Sequence, residues 1–274
     1  MADESAIKDV CVIGAGWSGL YALKYASQRG LDCVAIEQRE TIGGLWGYDE
    51  NTKYTTVADI TYTSSPKLFT EATDFPWKDE WGSHPKHTDV YEWLQSYAAH
   101  FNLVDKVLLK TTVEGTTKEN GVWKVHITDR ATNKSSVISC KNLVVATGVN
   151  GAVNDLSNTE KYKNFTGEKI HSDVIRNIPD FQKKMEGKNI VSIGGGENGS
   201  DLAYHFSKKT KSYHHCIPNG HWMQIRCAAT LAVPIPDLYP VTDEKMRVGK
   251  PWEYQKIPFR NIIRPMWGSN VSLT

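Results

Sequence analysis

The sequence has little net charge of either sign: 32 Lys and Arg oppose 31 Asp and Glu over 274 residues, for a formal charge of +1. With both signs scattered along the chain, there is no electrostatic footprint for nucleic acid or an anionic membrane surface. No run approaches the roughly 18 apolar residues of a membrane span, and residues 1–8 are too short, polar and acidic for a secretory signal. Cysteine is sparse as well. Cys11, Cys33, Cys140, Cys216 and Cys227 are odd in number and widely spaced, with no CxxC pair for metal or redox work. They are expected to be buried, reduced thiols of an intracellular, cytoplasmic protein. Small molecules are the expected partners. A hydrophobic fraction of 40% over 274 residues leaves room for about two domains, each with its own core.

What the chain does have is glycine in two clusters. The apolar run of Val10, Cys11, Val12 and Ile13 ends at Gly14, Gly16 and Gly19 follow at GxGxxG spacing, and residues 20–25 continue with helical periodicity. This predicts strand, tight turn, helix. Glycine there permits the turn, the close approach of a pyrophosphate and the packing of helix on sheet, with the helix amides facing the phosphates. A glycine-rich turn without a ligand has the same spacing, so the motif alone decides little. An apolar strand over 31–36 then ends at Glu37, 18 residues beyond Gly19. That is where a dinucleotide fold places the carboxylate for ribose hydroxyls. Further on, the backbone of Gly43 and Gly44 can run flush against a flat ligand with Leu45 and Trp46 beside it, which suits a flavin better than a nicotinamide.

Residues 48–90 show no clear period, and such a stretch usually lines a site or covers a ligand. Residues 89–101 have the spacing of an amphipathic helix capped by Thr88 or Asp89, with His100 as a structural residue at its end. Strands follow over 107–112, 113–118 and 122–127, with an Asn120-Gly121 hairpin turn, then a buried strand over 141–148 that ends in Ala146-Thr147-Gly148. Near residue 190 the first pattern returns: apolar residues 189–193, then Gly194, Gly196 and Gly199 at GxGxxG spacing, leading into a helix. That helix is expected to end near Ser207, followed by a strand over 212–217.

GxGxxG, an acid, five residues and Gly43-Gly44-Leu45-Trp46 together resemble the FAD-binding half of the flavin-containing monooxygenases, the class B flavoprotein monooxygenases. Phe165, Gly167 and His171 match that family's FxGxxxH fingerprint up to Ile175, where its last aromatic would fall, and the second cluster with Asn198, Ser200, Asp201 and Ala203 is similar to its NADPH site. The resemblance implies an α/β fold of two Rossmann-like domains with parallel sheets, plus a small antiparallel β-meander in the FAD domain. Residues 1–154 would be the FAD domain and 155–274 an incomplete NADP domain with its linker. FAD would sit at Gly14, Gly16, Gly19, Glu37, Gly44, Leu45, Trp46 and Thr147, and NADPH at Gly194, Gly196, Asn198, Gly199 and Ser200. His171 would couple the domains. The implied reaction is NADPH reduction of FAD, capture of dioxygen as a C4a-peroxyflavin, and transfer of one oxygen atom to a soft nucleophile, an amine nitrogen or a sulfide sulfur. No metal is implied, and no Ser-His-Asp or paired-carboxylate constellation is needed, because the chemistry belongs to the cofactor.

Besides Ile175, the chain departs from the family at three places. Ser64 stands where the family has an Asn beside the flavin; it is the candidate catalytic position, with less reach than an amide, and is equally readable as a plain turn residue. No Arg for an NADP 2'-phosphate follows the strand that ends at Cys216; Lys208, Lys209, Lys211 and Arg226 are the nearby cations, Lys lacks the bidentate fork, and the lysines read first as a solvated helix end. The chain also stops at Thr274 without a visible return to the FAD sheet, as expected of a fragment or truncated product. The alternatives are a silent FAD- and NADP-binding fragment or an NADPH oxidase releasing hydrogen peroxide. A disulfide reductase of the same plan lacks its cysteine pair.

Overall fold

The computed structural model describes residues 7–149, 151, 153–155 and 159–217. Its first strand, Lys8–Ile13 (β1), is apolar without alternation, and Val10, Cys11 and Val12 are all buried. Such a strand must be covered on both faces, the condition of a central strand in a parallel sheet. The chain turns at Gly14 into Trp17–Gln28 (α1), which ends where Gly30 takes a left-handed φ of 71° and donates to Ser27 O. It returns as Cys33–Ile36 (β2), parallel to β1, with Val10 opposite Cys33.

After a one-turn helix at Lys67–Thr70 (α2) comes His87–His100 (α3). This helix starts earlier than its sequence predicts. Lys86 is the cap residue, and Asp89, in the first turn, accepts the Lys86 N–H at 2.9 Å. A carboxylate three residues inside the helix serves the cap donor from within, so Asp89 marks the first turn and not the boundary.

The next strands are Val107–Leu108 (β3), Thr111–Glu119 (β4), Val122–Asp129 (β5) and Lys134–Val145 (β6), and the six-stranded sheet runs β3-β2-β1-β6-β5-β4. Asn120 and Gly121, at φ 49° and 84°, make the expected hairpin turn. β6 belongs to two pairings at once. Up to Cys140 it lies antiparallel to β5, and from Cys140 on it lies parallel to β1, so meander and parallel sheet are continuous. Its last residues are less buried than expected. Val144 packs on the α1 side and Leu143 on the other, but Val145, past the cluster covering that second face, is 67% exposed.

Helices α1 and α3 cover one face of the sheet, where Leu20, Leu23, Val90, Leu94 and Tyr97 meet Val10 and Val12. On the other face Cys11, Val34 and Ile36 meet Val125, Ile127 and Cys140. Burial pushes the Cys11 thiol up to about 12, which leaves it inert. Cys33 and Cys140 are buried too, whereas Cys216 is exposed at the end of its strand, against expectation, and Cys227 lies outside the described residues.

Aromatic burial holds the irregular stretch before α3. Trp93 stacks on Trp77 at 4.6 Å, meets Trp17 at 5.2 Å and Phe75 at 5.7 Å, and its indole N–H donates to Pro76 O. The same stretch supplies Asp74 to the buried Lys24 of α1, whose ammonium also lies 4.7 Å from the Phe101 ring centre. A loop without periodicity is thereby fixed by side chains together with isolated backbone bonds such as Thr63 N–H to Pro85 O and Lys67 N–H to Ser83 O.

The second strand-helix-strand unit follows Ile178–Met185 (α4), where Asn177 Oδ1 accepts the Asp180 N–H at the cap. Asn189–Ile193 (β7), Glu197–Phe206 (α5) and Ser212–Cys216 (β8) complete it, with β7 and β8 parallel and Asn189 opposite Ser212.

Two outcomes follow from this packing. Trp93→Ala is expected to lower stability by about 3–5 kcal/mol, read as a lower urea midpoint; a midpoint within error of wild type would contradict the keystone role of Trp93. His87 is buried, with Nε2 against Asp59 O at 3.1 Å, and burial holds its pKa below the ordinary value. The unfolded chain therefore takes up a proton that the folded chain refuses, so stability is full above about pH 6.5 and falls as pH drops below it. His87→Gln should remove its share of that slope, and an unchanged stability profile would contradict the assignment.

Candidate functional site

The first glycine motif is an interlock of three backbone segments. Gly14 has φ 103°, and a Cβ built there would stand 2.4 Å from Ala146 O, at the end of β6. At Gly19 a Cβ would stand 2.0 Å from Gly14 O, so only glycine lets α1 close on the turn. Gly44, at φ 59°, lays its backbone against Gly16, with a built Cβ 3.0 Å from Gly16 Cα, while the Gly43 N–H donates to Ala15 O at 3.0 Å. Gly16 caps α1 without any side chain on the first amides. Those amides, brought up by the close backbone packing, form a cradle that fits a diphosphate.

Glu37 ties this cradle together. It is buried, one carboxylate oxygen accepting the Ala15 N–H at 2.8 Å and the other the Arg39 N–H at 2.8 Å. An ionised carboxylate has about four acceptor sites, so capacity remains for ribose hydroxyls. Leu45 and Trp46 form a single 3-10 turn, with the Trp46 ring 6.3 Å from Trp17. Thr147 is exposed, its backbone N 3.5 Å from the position a Gly14 Cβ would take.

The second motif repeats the device. Gly194 has φ 117°, a Cβ at Gly199 would stand 2.2 Å from Gly194 O, and Gly196 caps α5 without a side chain. Asn198 and Ser200 lie in the opening turns of α5. His215, which the sequence reading did not single out, reaches across from β8 with Nε2 2.8 Å from Gly194 O. Nothing local to His215 signals this, because the contact depends on the pairing of β8 with β7. The same pairing agrees with the lysines being a solvated helix end. β7 runs toward Gly194 and β8 runs with it, so Lys208, Lys209 and Lys211 precede the far end of β8. A five-residue strand is about 13 Å from first to last Cα, which puts those lysines away from the phosphate turn. Arg226 lies outside the described residues.

A cavity of about 360 Å³ opens between the two motifs. Its wall takes Leu45, Val57 and Thr61 from the first half, His171 from the crossing segment, and Asn198 and Asp201 from α5. Ser64 is exposed and is not part of that wall. His171 caps a short turn, its Nδ1 accepting the Asp173 N–H at 3.1 Å. Most of the side-chain bonds that join the crossing segment to the first half come from Arg176, which the sequence reading passed over; it is buried and donates to backbone carbonyls of residues 49–54. Among the described residues no group of three His, Cys, Asp or Glu is placed to hold a metal, and no helix is long and apolar enough to cross a membrane.

A family model described as flavin-binding monooxygenase-like matches residues 7–234. The chain is 29% identical over 227 residues to dimethylaniline monooxygenase (N-oxide-forming) 2 of Oryctolagus cuniculus, covering 80% of this chain and 41% of that protein. It is 30% identical over 226 residues to dimethylaniline monooxygenase (N-oxide-forming) 4 of Homo sapiens, covering 79% and 39%. The chain thus spans about two-fifths of the length of the curated relatives it matches. Among solved structures, S-allyl-L-cysteine S-oxygenase from Allium sativum shares the fold, with a TM-score of 0.69 at 19% identity over 80% of this chain and 53% of that one. Since the match over residues 7–234 takes in both glycine motifs and the segment between them, the chain belongs to the flavin-binding monooxygenase-like family.

Proposed function

We propose that the chain holds FAD at Gly14, Gly16, Gly19, Glu37, Gly44, Leu45, Trp46 and Thr147, holds NADPH at Gly194, Gly196, Asn198, Gly199 and Ser200, and serves an NADPH-dependent oxygenation of a soft nucleophile by dioxygen. Residues 1–154 would form the FAD part and 155–274 the NADP part. The observation that carries this reading is the pair of cradles, each closed to a Cβ and each at the start of an uncapped helix, set on either side of one cavity. Two nucleotides bound there would meet across it.

When bound, FAD supplies the redox chemistry, accepting a hydride from NADPH and reacting with dioxygen. The chain's own part is positional. The first amides of α1 and α5 meet diphosphate charge, Glu37 fixes the first cradle and accepts ribose hydroxyls, and the His215 ring holds the carbonyl of Gly194 against the second turn. Leu45, Val57 and Ile175 contribute apolar surface to a cavity wall that is otherwise largely polar. Ser64 stays in the reading only as the hydroxyl at the family's Asn position, and no proton is routed through it. For the substrate, an amine nitrogen or a sulfide sulfur is favoured because relatives are named for N-oxide formation and S-oxygenation.

Crossed substitutions test the assignment of the two cradles. Gly19→Ala should weaken FAD binding about 10- to 100-fold, the cost of forcing a methyl into a filled turn, and leave the purified chain without its yellow absorbance. Gly199→Ala should keep the flavin and weaken NADPH binding by a similar factor. Loss of both ligands in both variants with the fold intact, or of neither, would contradict the assignment. For the reaction, NADPH oxidised in air should be matched by N- or S-oxide when an amine or sulfide is supplied. Hydrogen peroxide equal to NADPH consumed, whatever nucleophile is offered, would reject oxygenation and leave an oxidase.

A further inference from the structure

Arg176 is buried, only 7% exposed, and its guanidinium is directed almost entirely at backbone carbonyls. Nη1 donates to Asp49 O and Glu50 O, each at 3.3 Å, and to Thr52 O; Nη2 donates to Tyr54 O at 3.0 Å. Nε donates to Asp173 O at 3.2 Å, and the Asp173 carboxylate stands 3.7 Å from Nη2. Three more bonds flank the side chain. The Asp59 N–H donates to Arg176 O at 2.9 Å, the Ile178 N–H to Asp59 Oδ1 at 3.0 Å, and Asn177 Nδ2 to Glu50 Oε1 at 2.9 Å.

Most of these bonds join the same two segments. One is the loop that continues from the Gly43-Gly44-Leu45-Trp46 turn; the other leads into α4 and then β7, whose end is Gly194. They are also facing walls of the cavity, since residues from 55–61 and from 171–178 line it together. A buried guanidinium is tolerated only when its donors are satisfied; Nε is served locally by Asp173 O, and the carbonyls that Nη1 and Nη2 meet lie 122–127 residues away, which they reach in a single relative placement of the two segments. A lysine carries three donors on a flexible stem and cannot reproduce that planar fork.

We propose that Arg176 is the positioning residue that sets where the second glycine motif stands relative to the first, and so sets the register of hydride transfer across the cavity. The placement stands on the bonds above; its consequence for hydride transfer rests on the function proposed in the preceding section. Hydride transfer needs reacting atoms within near-contact distance, and an error of about 1 Å costs on the order of 100-fold in rate.

The test compares the full wild-type chain with Arg176→Ala and Arg176→Lys in two readouts. Hydrogen exchange should quicken in 49–59 and 171–178 in both variants while the core strands β1 and β2 keep their protection. After anaerobic mixing with saturating NADPH, flavin reduction should slow by about 100-fold at unchanged flavin content and NADPH affinity. Wild-type exchange or a wild-type reduction rate in Arg176→Ala overturns the proposal. Full restoration by Arg176→Lys overturns it as well, because a charge alone would then suffice. If Arg176→Ala does not fold, Arg176→Lys decides by the same two measurements. If the wild-type chain carries no flavin, or carries one that NADPH does not reduce, the functional reading fails, and hydrogen exchange alone decides the placement.

Discussion

Three backbone segments meet where no side chain fits. The turn after β1, the end of β6 and the Gly43-Gly44 loop touch one another at Gly14, Gly16, Gly19 and Gly44, and a single added methyl at Gly14 or Gly19 would fall within 2.4 Å of a carbonyl oxygen. Everything proposed for the first site depends on that steric condition. It brings the first amides of α1 to the surface of a cradle, places Glu37 where it can hold the turn, and sets Leu45 on the cavity wall. In the second motif only the closure of the helix on the turn recurs, at Gly199 against Gly194 O, with a histidine from β8 replacing the carboxylate as the group that braces the turn.

This origin explains what was legible in the sequence. Glycine spacing, a strand-end acid and an Asn-Gly hairpin are local requirements, and the structure places β1, α1, β2, the β4–β5 turn and the second strand-helix-strand unit close to their expected positions. Long-range pairing decides the rest. Lys208, Lys209 and Lys211 are near Cys216 in sequence, yet the direction of β8 carries them to the opposite end of the sheet from the phosphate turn. Arg176 had no visible role because its acceptors are carbonyls more than 100 residues earlier, in a loop without periodicity. Thr88 and Asp89 suggested a helix start that belongs to Lys86, since an acid can serve the cap donor from inside the first turn. Ser64 was placed by resemblance alone; it is exposed and not part of the cavity wall.

The cavity takes wall residues from beside each motif, Leu45 and Asn198. A lone cradle of this kind is only a nucleotide turn, whereas two that share one cavity with a mixed polar and apolar wall suit the transfer of a hydride followed by chemistry that water must not reach. Such a site demands little of any single side chain in bond breaking and much of the scaffold in placement. The buried arginine between the halves and the aromatic cluster beneath the loop at 70–81 both serve that demand.

The central claim is that the two cradles hold FAD and NADPH in position to react. Its most direct measurement is the visible spectrum of the flavin-loaded chain as NADPH is added without oxygen. The account predicts that the oxidised flavin bands bleach with one equivalent of NADPH per flavin and return when air is admitted. A flavin spectrum that stays oxidised under excess NADPH, or a folded chain that takes up no flavin, would contradict it.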